Sequence, residues 1–135
     1  MNRRRLLIAV VIAVAVLSAG VWLLRPATAE QTTSAAAAGP YLVRVEGDPP
    51  RVGISALTVE VSGNGGQPPP PESVTFEPAM PQMGHATTPV AAVEASPGHY
   101  RADVDLSMAG QWEITVRIAA AGQIHDAVLS ITTSG

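Results

Sequence analysis

Apolar positions follow two regimes along this 135-residue chain. From Leu6 to Leu24 the sequence runs without a single charge. From Tyr41 onward apolar and polar residues alternate with a period of two, the spacing of a strand with one face buried. In Leu57-Thr58-Val59-Glu60-Val61 the odd positions are apolar. In the segments Tyr100–Leu106 and Trp112–Ile118 the even ones are, with charges on the opposite face. These three segments are the strongest strand signals, and weaker alternation adds Tyr41–Glu46, Ser73–Glu77, Val90–Ala95 and Ile124–Thr132. Glycine, proline and asparagine punctuate the gaps at Gly47-Asp48-Pro49-Pro50, Gly63-Asn64-Gly65-Gly66, Ser96-Pro97-Gly98, Ala109-Gly110 and Ala121-Gly122. No stretch of this region repeats its apolar residues at 3.6. The pattern therefore predicts an all-β fold, an immunoglobulin-like antiparallel β-sandwich of about seven strands, preceded by an N-terminal hydrophobic helix. With no cysteine for an inter-sheet disulfide, Trp112, Tyr100 and Phe76 are left to fill the core. The polyproline run Pro68 to Pro71 cannot join a sheet and belongs in a surface loop before the third strand.

The N-terminus points to export. Arg3-Arg4-Arg5 ahead of the apolar run is a basic n-region, and Ala27-Thr28-Ala29 offers small residues for cleavage, with Pro26 ending the helix just before it. One reading is a cleaved signal peptide over residues 1–29, with a mature start at Glu30. The other is an uncleaved signal-anchor transmembrane helix, since 19 apolar residues approach the ~20 needed to span a bilayer. Three arginines before the run against one after it keep the N-terminus cytoplasmic. Both readings put the domain outside, either membrane-anchored or free in the periplasm or extracellular space. Residues 30–40, small and polar around QTTSAAAAG, read as a flexible linker, and residues 41–135 as the folded domain.

Charge narrows the partners. Beyond residue 29 the chain keeps four basic residues against 11 acidic ones, a net charge of −7, so no basic face exists for nucleic acid. No serine lies in a nucleophile-elbow sequence. Asp103 and Asp105 share one exposed strand face, where a solvated surface explains them better than acid–base catalysis. The expectation is a non-catalytic domain.

The segment Met80-Pro81-Gln82-Met83-Gly84-His85 concentrates two thioethers and an imidazole between two strands. Pro81 and Gly84 interrupt any strand there, and a proline forces the preceding Met80 into an extended backbone. Soft sulfur with borderline nitrogen suits Cu(I), whereas zinc favours thiolate, nitrogen or carboxylate. Strands alternate in direction, so the third and fifth end at one pole of the sandwich. Met108, following the fifth, can complete a set of Met80, Met83, His85 and Met108 there. Against this, Met80 and Met83 can serve as flexible filler with His85 at the surface, and Met108 continues the inward face of Tyr100, Ala102, Val104 and Leu106. His99 and His125 begin the fifth and seventh strands and fall at the opposite pole, ~23 Å away. They read as two exposed histidines or a weak site of their own.

The stretch Val74 to Ile118, with MPQMGH, then SPGHY, then DLSMAGQWEITVRI, resembles the YtkA-like domain family, which is related to the FixH proteins. The resemblance implies an exported, often membrane-anchored, immunoglobulin-like domain associated with copper handling or with haem-copper oxidase assembly. It also implies that Met80, Met83 and His85 are metal-site candidates, and that Gly98, Tyr100, Gly110 and Trp112 keep the fold.

Two functions of different class follow as expectations. The first is an extracytoplasmic copper-binding domain that handles Cu(I) or delivers it to a membrane cuproprotein. The second is a metal-free interaction module assisting a membrane protein partner, such as a haem-copper oxidase. For the N-terminus the expected outcome is direct: a topology reporter fused after Gly135 is active only outside the cytoplasm, and activity inside would refute export.

Overall fold

The computed structural model describes residues 35–135. The predicted N-terminal hydrophobic helix, the signal or anchor segment and the first part of the linker lie outside the described residues.

Ten strands form in chain order: β1 (Ala35–Ala38), β2 (Tyr41–Glu46), β3 (Gly53–Gly63), β4 (Ser73–Met80), β5 (His85–Ala86), β6 (Val90–Ala91), β7 (Val93–Ser96), β8 (His99–Leu106), β9 (Gly110–Ala120) and β10 (Gln123–Thr133). They make two antiparallel sheets. One has the order β1-β2-β3-β8-β7, the other β10-β9-β4-β5, with β6 also paired to β4. Without β1, β5 and β6, the orders β2-β3-β8-β7 and β10-β9-β4 reproduce the four-plus-three arrangement of an immunoglobulin-type sandwich. Six of the seven strands predicted from alternation are present as single strands, and the seventh, Val90–Ala95, is divided between β6 and β7.

The alternation works because only one face of each sheet meets the other. On β8 Tyr100, Ala102, Val104 and Leu106 are buried while Arg101, Asp103 and Asp105 are exposed. On β9 Trp112, Ile114, Val116, Ile118 and Ala120 all point inward. Phe76 from β4, Leu57 and Val59 from β3 and Leu129 from β10 complete the layer between the sheets. Tyr41 belongs to it as well, a fourth large aromatic that the sequence pattern did not single out. Its hydroxyl donates to the Pro69 carbonyl and so ties the polyproline loop, which does run over the surface, to the sandwich. The Tyr100 hydroxyl donates to Glu94 Oε2 at 2.9 Å, pinning edge strand β7. Burial first, and that hydrogen bond second, push the Tyr100 pKa up to about 12.

Three features depart from the expected organisation. Ala35–Ala38, assigned to the flexible linker, is a strand: a turn at Gly39-Pro40 folds it back on β2 in register from Ala35↔Arg44 to Ala38↔Tyr41. A run of alanines has no alternation to reveal this. Gly39 holds a positive φ, and a Cβ there would lie 2.3 Å from the His125 ring that packs on the turn. Second, the expected strand Val90–Ala95 is split between sheets. Val90 and Ala91 pair with Phe76 and Thr75 of β4, whereas Val93 onward pairs with β8. Third, β5 is a two-residue extension that doubles back along the end of β4. Among the described residues no helix is long and apolar enough to cross a membrane.

Trp112 is fully buried and carries the largest side chain of the core. Trp112→Ala is expected to cost about 3 to 5 kcal/mol, against the roughly 5 to 15 kcal/mol that stabilises a domain of this size. Urea denaturation checks this, and a loss below about 1 kcal/mol would contradict the burial.

Candidate functional site

The methionine and histidine segment is built as a tight hairpin at one pole. Met80 ends β4 with extended backbone, φ −117° and ψ 85°, as a residue before proline must. Pro81, Gln82 and Met83 form one turn of 3₁₀ helix, and Gly84 closes it in the left-handed conformation, φ 60° and ψ 30°, its N–H donating to the Pro81 carbonyl at 3.1 Å. The chain then re-enters the sheet so that His85 lies directly opposite Met80. Opposed residues of an antiparallel pair project to the same face, about 5 Å apart. The turn and the β4–β5 register thus put the Met80 and His85 side chains on one face.

Tertiary packing adds the rest. The His85 ring meets the Trp112 indole edge-on, with centroids 5.7 Å apart and planes at 71°. Its Nε2 lies 3.3 Å from the Ser107 hydroxyl in the loop between β8 and β9. In the tautomer that donates from Nε2 to Ser107, Nδ1 presents its lone pair. A ring nitrogen held in this way is the usual outer support of a metal-binding histidine. Met108 sits in the same loop. Its carbonyl accepts the Trp112 indole N–H at 3.0 Å and the Thr133 hydroxyl at 2.9 Å, which fixes the loop against the pole. Gln82 Nε2 donates to the Gln111 carbonyl at 2.9 Å and ties the 3₁₀ turn to β9.

The four sequence-predicted donors therefore divide. Met80 and His85 are paired by register. Met108 is half-buried beside Trp112 on the same pole, as strand direction required, and packs against the core. Met83 stands 63% exposed on the turn between Met80 and His85. Met80 is 3% exposed and a member of the core cluster, its Cε lying over the start of β9. That position is open because Gly110 has no side chain: a Cβ there would approach the Met80 methyl to 3.1 Å. Ser107 and Gln82 were missed in the sequence. A serine in a short loop and a glutamine in a turn carry no signal until the fold shows what lies opposite.

His99 and His125 part company. The His125 ring stacks at a tilt on Tyr41, 5.8 Å between centroids, whereas His99 Nδ1 lies 2.8 Å from Glu46 Oε2 on the outer face of the first sheet.

An immunoglobulin-type sandwich with a thioether–imidazole hairpin packed against a buried tryptophan is the class these features define. The chain belongs to the YtkA-like family, whose model matches residues 35–117. That match begins at β1, in agreement with Ala35–Ala38 being part of the folded unit. No curated protein matches the chain. Among solved structures it is similar to the PKD domain from the human VPS10 domain-containing receptor SorCS2, at 14% identity over 83% of this chain and 86% of that one, with a TM-score of 0.42.

The two glycines of this pole make separable demands. At Gly84 a Cβ would meet nothing within 4 Å, so Gly84→Ala is expected to cost only the left-handed backbone strain, about 1 to 2 kcal/mol. Gly110→Ala adds the displacement of Met80 to the strain of a φ of 131° and should cost more. Urea denaturation of both variants checks the order, and the reverse order would show that Met80 is not held over β9.

Proposed function

We propose that this domain is a non-catalytic, extracytoplasmic Cu(I)-binding module that handles the ion or passes it to a membrane cuproprotein. Met80, Met83 and His85 are the donors and Met108 a fourth. The observation that carries this reading is the cross-strand pairing of Met80 with His85 around a turn that displays Met83. Thioether sulfur and neutral imidazole form a donor set suited to soft Cu(I), and the cysteine-free chain offers no thiolate to compete. The Ser107 contact supports the reading by steadying the ring. Export, with the domain anchored outside or released after cleavage, belongs to the same proposal and rests on the arginine-led apolar segment.

A second reading has its own observation. Met80 is a core residue and Met108 packs against the core, as expected if the methionines only plug the pole. The domain would then be a metal-free interaction module for a membrane complex such as a haem-copper oxidase.

The Trp112–His85 contact supplies the test. The full chain has two tryptophans, so W22F leaves Trp112 as the only fluorophore of its kind, in contact with a proposed ligand. Titration with Cu(I) under reducing conditions against a competing chelator should quench its emission with one equivalent bound. The double variant Met80→Leu/Met83→Leu keeps volume and apolarity and should spare folding while removing most of the binding. Affinity should fall on acidification, because imidazole binds a metal only when neutral and thioethers carry no proton; His85→Ala should weaken binding and flatten that dependence. Undiminished binding by the double leucine variant overturns the copper reading in favour of the second.

A further inference from the structure

A second cluster of donor groups lies on the outer face of the first sheet. Glu60 on β3 is opposite His99 on β8 and, on its other side, Arg44 on β2. Glu46 follows Arg44 by two residues on the same strand and so projects from the same face, with Thr58 between it and Arg101. The side chains of Glu46, Glu60 and His99 converge until one ligand atom from each lies within 4.8 Å of the other two. All three are half-buried. His99 Nδ1 and Glu46 Oε2 are 2.8 Å apart.

Glu60 is the unexplained member. A hydrogen-bonded histidine and glutamate need no third group, yet a second carboxylate is directed at them. Arg44 and Arg101 share that face by register, but neither forms a salt bridge within 4.0 Å among the described residues; the ion pairs there are His99–Glu46, Arg117–Glu77 and Arg117–Asp126. A cation held by all three would give the second carboxylate a partner.

We propose that Glu46, Glu60 and His99 form a metal site on the sheet face that takes a borderline divalent cation of the Zn2+ class. One imidazole nitrogen and two carboxylate oxygens, with water in the fourth position, are a donor set that such an ion accepts. The set contains no sulfur, so it selects against Cu(I). It stands on three adjacent strands whose pairing fixes each Cβ, which gives it the rigid support that metal geometry demands. It shares no residue with the methionine pole and does not depend on the function proposed for that pole.

The test uses the full chain in detergent, titrated with ZnCl2 against a competing chelator. The expected result is one equivalent of Zn2+ bound and a thermal midpoint raised by the ion. E60Q keeps the size of the side chain and breaks no side-chain hydrogen bond or ion pair among the described residues, so the metal-free fold should be unaffected. It should lower the Zn2+ affinity at least tenfold and abolish the thermal shift. E46Q should lower the affinity similarly, and Met80→Leu/Met83→Leu should leave it unchanged. An E60Q variant that binds Zn2+ as tightly as the parent overturns the site, as does a parent that binds none. Loss of Zn2+ binding in the double leucine variant would assign the ion to the other pole and overturn it too.

Discussion

Burial of the Trp112 indole is the constraint on which the rest of this domain depends. An indole N–H removed from water must find an acceptor, and here it finds the Met108 carbonyl. The same carbonyl takes the Thr133 hydroxyl, so one oxygen joins the start of β9, the loop after β8 and the end of β10. The edge of the ring receives His85, which brings the short β5 hairpin into contact with the core. A chain with no disulfide thus holds the two sheets together at this end through one aromatic side chain and its polar handle. The loop residues that could serve chemistry are held by the group that stabilises the sandwich.

That coupling has a consequence for the methionine pole. Met80 lies within the core, Met83 outside it, and His85 at the boundary between them. A thioether tolerates either environment because it is apolar, flexible and free of any proton to lose. The same property that lets Met80 fill space over Gly110 would let its sulfur turn toward an ion. Packing and the proposed ligation would therefore draw on one residue, and leucine substitution separates them because leucine keeps the volume and loses the donor.

The sheet face works by a different physics. Carboxylates and imidazole cannot be buried without partners, so Glu46, Glu60 and His99 stay half-exposed on a surface where rigid strands set their spacing. Soft donors gather where the core meets a turn, and hard and borderline donors gather on the outer face of a sheet. An acidic domain of this kind can keep two donor sets apart because the interior of the sandwich lies between the groups that prefer apolar surroundings and those that prefer water.

Period-two alternation was enough to place six of the seven principal strands and the inward direction of Trp112, Tyr100 and Phe76, because burial on one face is a local property that each residue carries in its own polarity. The interruption of the strand at Met80-Pro81 and Gly84-His85 was readable for the same reason, since proline and glycine restrict their own backbone wherever they occur, but that the chain doubles back there and pairs His85 with Met80 was not. Strand direction further sufficed to put Met108 on the pole of Met80 and His85. What a strand lies beside is a different matter. The alanine strand β1 has no alternation, and only pairing with β2 makes it a strand. The break after Ala91 exists because two sheets compete for one segment. Ser107 beneath His85, and Glu60 and Glu46 beside His99, are 22, 39 and 53 residues from their histidines along the chain. Their meeting depends on register, a relation between distant strands that polarity at a single position does not encode, so only the assembled sheets decided it.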